Sequence, residues 1–147
     1  VKADKPLAKE LGCQVGDEWV QISGLRTLGD DGMPICLADV YVIPEYGSIA
    51  QRLGASSRPV YEMIAETFKE SIENITIRLT AGVLSDRKAA VLGVEPGSPS
   101  LSVSRFYEGR GGRIFEVSIS EHPASNFSYT FEFTRGWQTA DHWSWNN

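Results

Sequence analysis

Short runs in which every second residue is apolar dominate the chain. Two of them are Val20-Gln21-Ile22-Ser23-Gly24 and Leu101-Ser102-Val103-Ser104-Arg105. Period two is the spacing of a strand with one face buried. Each run leads into a glycine-bearing turn, Gly29-Asp30-Asp31-Gly32 or Gly109-Arg110-Gly111-Gly112, and then into another strand-like segment, Ile35 to Ile43 or Ile114 to Ser120. Glycine supplies the positive φ that such turns demand. A further strand is predicted where Ile75, Ile77 and Leu79 alternate with Thr76, Arg78 and Thr80, and a last one over Tyr129-Thr130-Phe131-Glu132-Phe133. Helical spacing is clearest in two places. Val60, Ile64 and Phe68 share one face of a helix predicted over residues 59–70, with Ser57 as its cap and Pro59 in its first turn. Ser85 precedes a second, short helix from Asp86 to Leu92.

The pattern repeats. Leu11-Gly12-Cys13-Gln14-Val15-Gly16 reads like Leu92-Gly93-Val94-Glu95-Pro96-Gly97 at a constant shift (92 − 11 = 97 − 16 = 81), and Ala8 matches Ala89 at the same shift. Each copy is therefore short helix, strand, turn, strand. Hairpins joined by short helices predict an α+β domain built on a mostly antiparallel sheet. Trp137, Trp143 and Trp145 sit in a polar carboxy-terminal stretch without a period, which is compatible with a docked tail or a disordered one.

The totals narrow the function. A chain of 147 residues with 41% hydrophobic and 22% charged content suits one domain with a full core. With 14 basic and 19 acidic residues the net charge is −5, and Arg105, Arg110 and Arg113 are interleaved with Glu108 and Glu116 rather than forming a phosphate-binding stripe. Direct DNA binding by these residues is not expected. No apolar run nears the roughly 20 residues of a membrane helix and the amino terminus lacks a signal-peptide core, so no membrane contact and a cytoplasmic location are expected. The chain opens on Val1, which suggests a piece of a longer protein. Cys13 and Cys36 are expected as free, buried thiols. His122 and His142 have no second histidine or cysteine at ligand spacing, and His122-Pro123 reads as the turn after a strand. No metal or other cofactor is expected, and no nucleophile motif or phosphate loop appears.

Leu92-Gly93-Val94-Glu95-Pro96-Gly97, a strand ending in Arg105, Gly112, Phe115-Glu116-Val117-Ser118, His122-Pro123-Ala124 and Phe127-Ser128-Tyr129 occur in an order that resembles the UTRA effector domain. That domain is the ligand-sensing half of the GntR-type regulators in the histidine-utilisation-repressor subgroup. The likeness spans nearly all of residues 7–135. It implies a chorismate-lyase-like fold with a cleft for a metabolite, a homodimer that reads ligand occupancy, and DNA contact through a winged helix-turn-helix domain absent from this chain. It implies no catalysis. A lyase acting on chorismate-like carboxylates is the alternative on the same fold.

Residue alternation selects the candidate ligand contacts. Leu101, Val103 and Arg105 share a strand face, so a guanidinium follows two apolar residues inward. A buried cation needs a counter-charge, and Glu116 across the turn or a ligand carboxylate would each supply it. Arg26 follows Val20, Ile22 and Gly24 in the same way. Phosphosugar-binding members resemble one another in an Arg-x-Arg at this place, where the present chain has Gly24-Leu25-Arg26. That departure favours a small anionic metabolite with a carboxylate over a phosphosugar. Asp39 alternates with Ile35, Leu37 and Tyr41 on an apolar face and is a further candidate. Tyr41, Tyr61, Tyr107 and Tyr129 offer ring faces and hydroxyls to a ligand or to the core, and Ser118 shares a face with Glu116. Arg78 fits a solvent-facing position as well as a pocket.

Overall fold

The structure is a computed structural model that describes residues 1–54 and 58–135. Helix α1 (Lys5–Leu11) begins at Asp4, whose carboxylate accepts a hydrogen bond from the Leu7 amide, and ends at Gly12 with φ +69°. Helix α3 (Asp86–Leu92) repeats the design, with Ser85 accepting from the Lys88 amide and Gly93 at φ +68°. The two Leu-Gly signals are thus two left-handed helix stops, a conformation that glycine adopts without strain. Helix α2 spans Val60–Phe68 and buries Ile64, with Val60 and Phe68 packed beside it. Pro59 is its cap residue and not part of its first turn, since its ψ of 142° is still extended. Ser57 lies outside the described residues, as do the three tail tryptophans and His142. No helix among the described residues is long and apolar enough to cross a membrane.

Five antiparallel strands form one sheet in the order β1-β2-β5-β4-β3: β1 (Val20–Leu28), β2 (Met33–Val42), β3 (Asn74–Val83), β4 (Pro99–Glu108) and β5 (Ile114–Pro123). The fold is the expected α+β architecture, antiparallel sheet with flanking helices. Its centre is the β2–β5 pair, and each hairpin supplies one half. Val20 pairs with Val42 in the first hairpin and Leu101 with His122 in the second. The strand shift is 101 − 20 = 81 and then 122 − 42 = 80, so the second turn is one residue shorter. Burial concentrates where the two halves meet: Val42, Phe115 and Val117 are fully enclosed with Leu11, Ile49 and Ile64.

Two further expectations fail. The last predicted strand, residues 129–133, joins no sheet. The chain turns through Ala124–Asn126 and passes over the sheet face, where Phe127 stacks on His122 and the rings of Tyr129 and Phe131 pair at 4.6 Å. Its amides therefore face no strand edge. Conversely, β5 runs three residues beyond Ser120, which brings His122 into the sheet instead of into a turn. β3 carries ten exposed residues, and the Arg78 guanidinium lies 4.7 Å from the Phe106 ring centre.

Candidate functional site

Strand parity builds the site. On one sheet face β1 presents Val20, Ile22 and Arg26, β2 presents Cys36, Ala38 and Val40, β5 presents Glu116, Ser118, Ser120 and His122, and β4 presents Val103, Arg105 and Tyr107. The Arg26–Cys36 pair stands beside a register shift between Arg26 and Thr27, and such irregularities re-aim side chains. Helix α2 and the 3-10 turn Pro44–Arg52 cover one end of this face. Phe127 to Thr130 wall the other end. Between them lies a cavity of about 470 Å³ lined by Arg26, Arg105, Ser118, Ser120, His122 and Tyr129, among others. Its volume is within the usual range for small-molecule sites, roughly 300–1,000 Å³.

The cavity is cationic. Neither Arg26 nor Arg105 makes an ion pair among the described residues; the four ion pairs there are Lys2–Glu18, Arg58–Glu66, Lys88–Glu121 and Arg113–Glu45. Arg105 instead lies 5.9 Å from the Tyr129 ring centre, a cation–π distance. Burial first, then Arg105 and Arg26, push the His122 pKa down, so the ring is neutral near pH 7. That ring stacks on Phe127 with centres 3.6 Å apart, and its Nε2 is 3.2 Å from the Ser120 hydroxyl. Burial also raises the Cys36 thiol, opposed by Arg26. Both cysteines are free, Cys36 buried and Cys13 partly so.

The cross-strand bridge open to Arg105 does not form. Its register partner is Ser118, whereas Glu116 faces Tyr107. Glu116 is 2% exposed, its Oε2 has no hydrogen-bond partner, and burial alone raises its pKa to about 8. Tyr107 is held up to about 12, by burial first and the nearby Glu116 second. Its ring stacks on Tyr61 of α2 at 4.5 Å and 16°. Tyr61, Tyr107 and Glu116 thus form a cluster next to the cavity, sharing Arg105 and Ser118 with it by register.

Asp39 and Tyr41 lie elsewhere. Being odd-numbered on β2, they point to the opposite sheet face, where a second cavity of about 660 Å³ runs between α1, α3 and the β1–β2 hairpin. There Asp39 accepts hydrogen bonds from Ser23 and from Gln21, whose amide is also 3.2 Å from the Tyr41 hydroxyl. Burial, then Asp39 and Glu10, push Tyr41 up to about 12. Of the nine candidates, four line the cationic cavity, three adjoin it and two sit behind the sheet. His122, Ser120, Cys36 and Phe127 were not predicted. The alternation Glu116, Ser118, Ser120, His122 carried the signal for two of them, had the strand been extended past Ser120.

No group of His, Cys, Asp or Glu among the described residues could hold a metal ion. The arrangement offers two guanidiniums, hydroxyls and aromatic faces. Comparison with known proteins places the fold. The ligand-binding domain of a protein assigned to the GntR transcriptional regulators of Bordetella bronchiseptica is 28% identical, with a TM-score of 0.71 over 91% of this chain and 83% of that one. A GntR-family regulator from Bacillus cereus superposes with a TM-score of 0.76 at 22% identity, covering 91% of this chain and 92% of that one. PhnF from Mycobacterium smegmatis gives 0.73 at 18% identity, covering 92% of this chain and 59% of that one. No match is found among curated protein sequences. The sequence profile of the UTRA domain matches residues 1–128, and the chain belongs to that family.

Proposed function

We propose that this domain senses a small anionic metabolite, a carboxylate, and passes its occupancy to DNA through a homodimer. The observation that carries the reading is the pair of guanidiniums, Arg26 and Arg105, in one cavity that no carboxylate lines and without an ion pair among the described residues. Arg105 is partly buried without a counter-charge, a state that costs desolvation free energy which a bound anion recovers, and the exposed Arg26 adds a second cation to the same cavity. Ser118, Tyr129, Tyr107, Tyr61 and Glu116 complete the contact set around them. Asp39 and Tyr41 belong to the ligand set only if an effector also enters the second cavity. A single guanidinium on β1, with Gly24 beside it, supports a monoanionic head over a phosphate dianion. DNA contact resides in a separate domain, in the cytoplasm, and no cofactor takes part.

Melting temperatures of the chain measured against a panel of mono- and dicarboxylates test the reading. A ligand that binds only the native state at 100 times its Kd stabilises by about 2.7 kcal/mol, a shift of several degrees. Arg105→Ala and Arg26→Ala each remove that shift. An intact fold that no carboxylate stabilises sinks the proposal. A lyase reading has one supporting observation, the protonated Glu116 within a strand of Arg105, which would serve as a general acid. Conversion of chorismate to 4-hydroxybenzoate by the chain would establish it, and family membership argues against it.

A further inference from the structure

The second cavity, of about 660 Å³, lies on the sheet face opposite Arg26 and Arg105. Its floor is a hydrogen-bonded network that leaves one side of Asp39 open. The Ser23 hydroxyl and the Gln21 amide, the latter at 3.1 Å, both donate to Oδ1, and no described residue donates to Oδ2. Gln21 also donates to the Tyr41 hydroxyl at 3.2 Å. Tyr41 is 6% exposed and lines the cavity, yet its own hydroxyl hydrogen meets no acceptor among the described residues. The network therefore fixes the carboxylate and keeps hydrogen-bonding capacity in reserve at both Asp39 and Tyr41.

Charge is separated across this cavity. Glu10 of α1 and Asp39 of β2 line it, make no ion pair among the described residues, and after burial both push the Tyr41 pKa up. The other wall is α3, which contributes Arg87 and Lys88. Lys88 is committed to Glu121, whereas Arg87 makes no ion pair among the described residues. Helix α3 packs over Leu37, which is two residues from Asp39 on the same face of β2 and so about 7 Å along the strand. Leu25 and Val91, 43% and 44% exposed, line the same space and give an apolar ligand body surface to cover.

We propose that this cavity is a second ligand site, separate from the cationic one, and that it takes a free α-amino acid with an apolar side chain. Asp39 Oδ2 accepts from the ammonium group, with Glu10 adding negative charge and the Tyr41 oxygen a further acceptor. Arg87 takes the carboxylate, and the side chain lies against Leu25 and Val91. The two heads of an α-amino acid stand about 3 Å apart, so with charge-assisted hydrogen bonds of about 2.8 Å at each end they span roughly 8 Å between partners. That span suits the offset of α3 from Asp39. A plain amine leaves Arg87 facing a cation, and a plain carboxylate faces Asp39 and Glu10, so each binds more weakly than the zwitterion.

Calorimetric titration of the whole chain with leucine, methionine and phenylalanine tests the proposal, beside 3-methylbutylamine, which is leucine without its carboxylate. At least one of the three amino acids binds, and leucine binds about tenfold tighter than the amine or better. The affinity of the amino acid that binds falls about tenfold or more in Asp39→Asn, which keeps the shape of the side chain, and severalfold in Arg87→Gln. Arg105→Ala, on the other face, leaves it unchanged. Circular dichroism checks that the variants fold; Arg87 is exposed, so Arg87→Gln reads the site even where Asp39→Asn does not fold. Absence of binding by all three amino acids, or an affinity unchanged in either folded variant, overturns the proposal and leaves the carboxylate reading of the first cavity in place. Loss of binding in Arg105→Ala also overturns it, because the amino acid then sits in the first cavity.

Discussion

Glu116 is held near pKa 8 in the folded protein by burial, whereas the unfolded chain ionises it near 4.5. Between those values the unfolded state gives up a proton that the folded state keeps. Folding stability therefore falls as pH rises from about 4.5 to 8, by up to about 1.4 kcal/mol per pH unit, and levels off above 8. The whole loss is of order 4–5 kcal/mol. Glu116→Gln removes this component: urea unfolding at pH 5 and pH 8 should show a steep decline for the wild type and a shallow one for the variant, which is also the more stable of the two at pH 8. Identical slopes would mean that Glu116 is not buried as described.

His122 titrates in the opposite sense. Its folded pKa is depressed by burial, Arg105 and Arg26, so its contribution to stability is present above the ordinary histidine value and is lost as pH falls below it. An anion seated against the two arginines relieves the repulsion and draws a proton onto the ring. Carboxylate affinity should therefore rise severalfold from pH 7.5 to 5.5, and His122→Asn should flatten the dependence. Proton uptake measured by calorimetry in two buffers of different ionisation heat checks it. Zero uptake would separate His122 from the anion.

At the scale of elements, the duplication does more than describe the fold. The 81-residue shift superposes β1 on β4 with faces preserved: Val20 on Leu101, Ile22 on Val103, Gly24 on Arg105 (105 − 24 = 81) and Arg26 on Tyr107. The second half thus keeps a guanidinium where the first has glycine. A Cβ at Gly24 meets nothing within 4 Å, and its φ lies outside the left-handed region. Its register partner Ala38 lines the cavity. Gly24→Arg should therefore fold normally and place a third guanidinium on the cavity face. Affinity for inorganic phosphate should increase about tenfold or more relative to the wild type, with a smaller gain for acetate, because a dianion gains most from added positive charge. Equal gains for both anions would mean that the new side chain turns away from the cavity.

Element pattern also marks where the sequence stopped being informative. Period two found the hairpin strands and both arginines, since alternation alone decides which side chains share a face. It could not say that both faces of β2 are covered, nor that the apolar neighbours of Asp39 lie on the face opposite the two arginines. Those neighbours pack under α1 and α3. Residues 129–133 have the composition and alternation of a strand, but pairing depends on an available edge within reach, which no local pattern encodes. The same segment supplies a wall of the cavity, with Tyr129 against Arg105.

For the molecule as a whole, no strand among the described residues pairs with the outer edge of β3. Ile75, Ile77 and Leu79 are 45%, 40% and 38% exposed on the cavity side of the sheet, and Val83 follows at the strand end. Arg78 is the only charge among the ten residues of β3, and it lies over Phe106 on the other face. Natural edge strands that stay solvent-exposed are blunted by lysine, proline or a bulge, and β3 has none of these. A twofold dimer would cover this strand in both copies at once, since one patch meets its own equivalent. The chain should accordingly sediment as a dimer at micromolar concentration. Leu79→Lys places two new cations near the axis of such an interface, so it should weaken the dimer about tenfold or more. It should change the unfolding free energy of the monomer by no more than about 0.5 kcal/mol, as expected for a partly exposed position. A monomeric wild type would remove the dimer from the signalling scheme, and a Leu79→Lys variant that stays fully dimeric would move the interface away from β3.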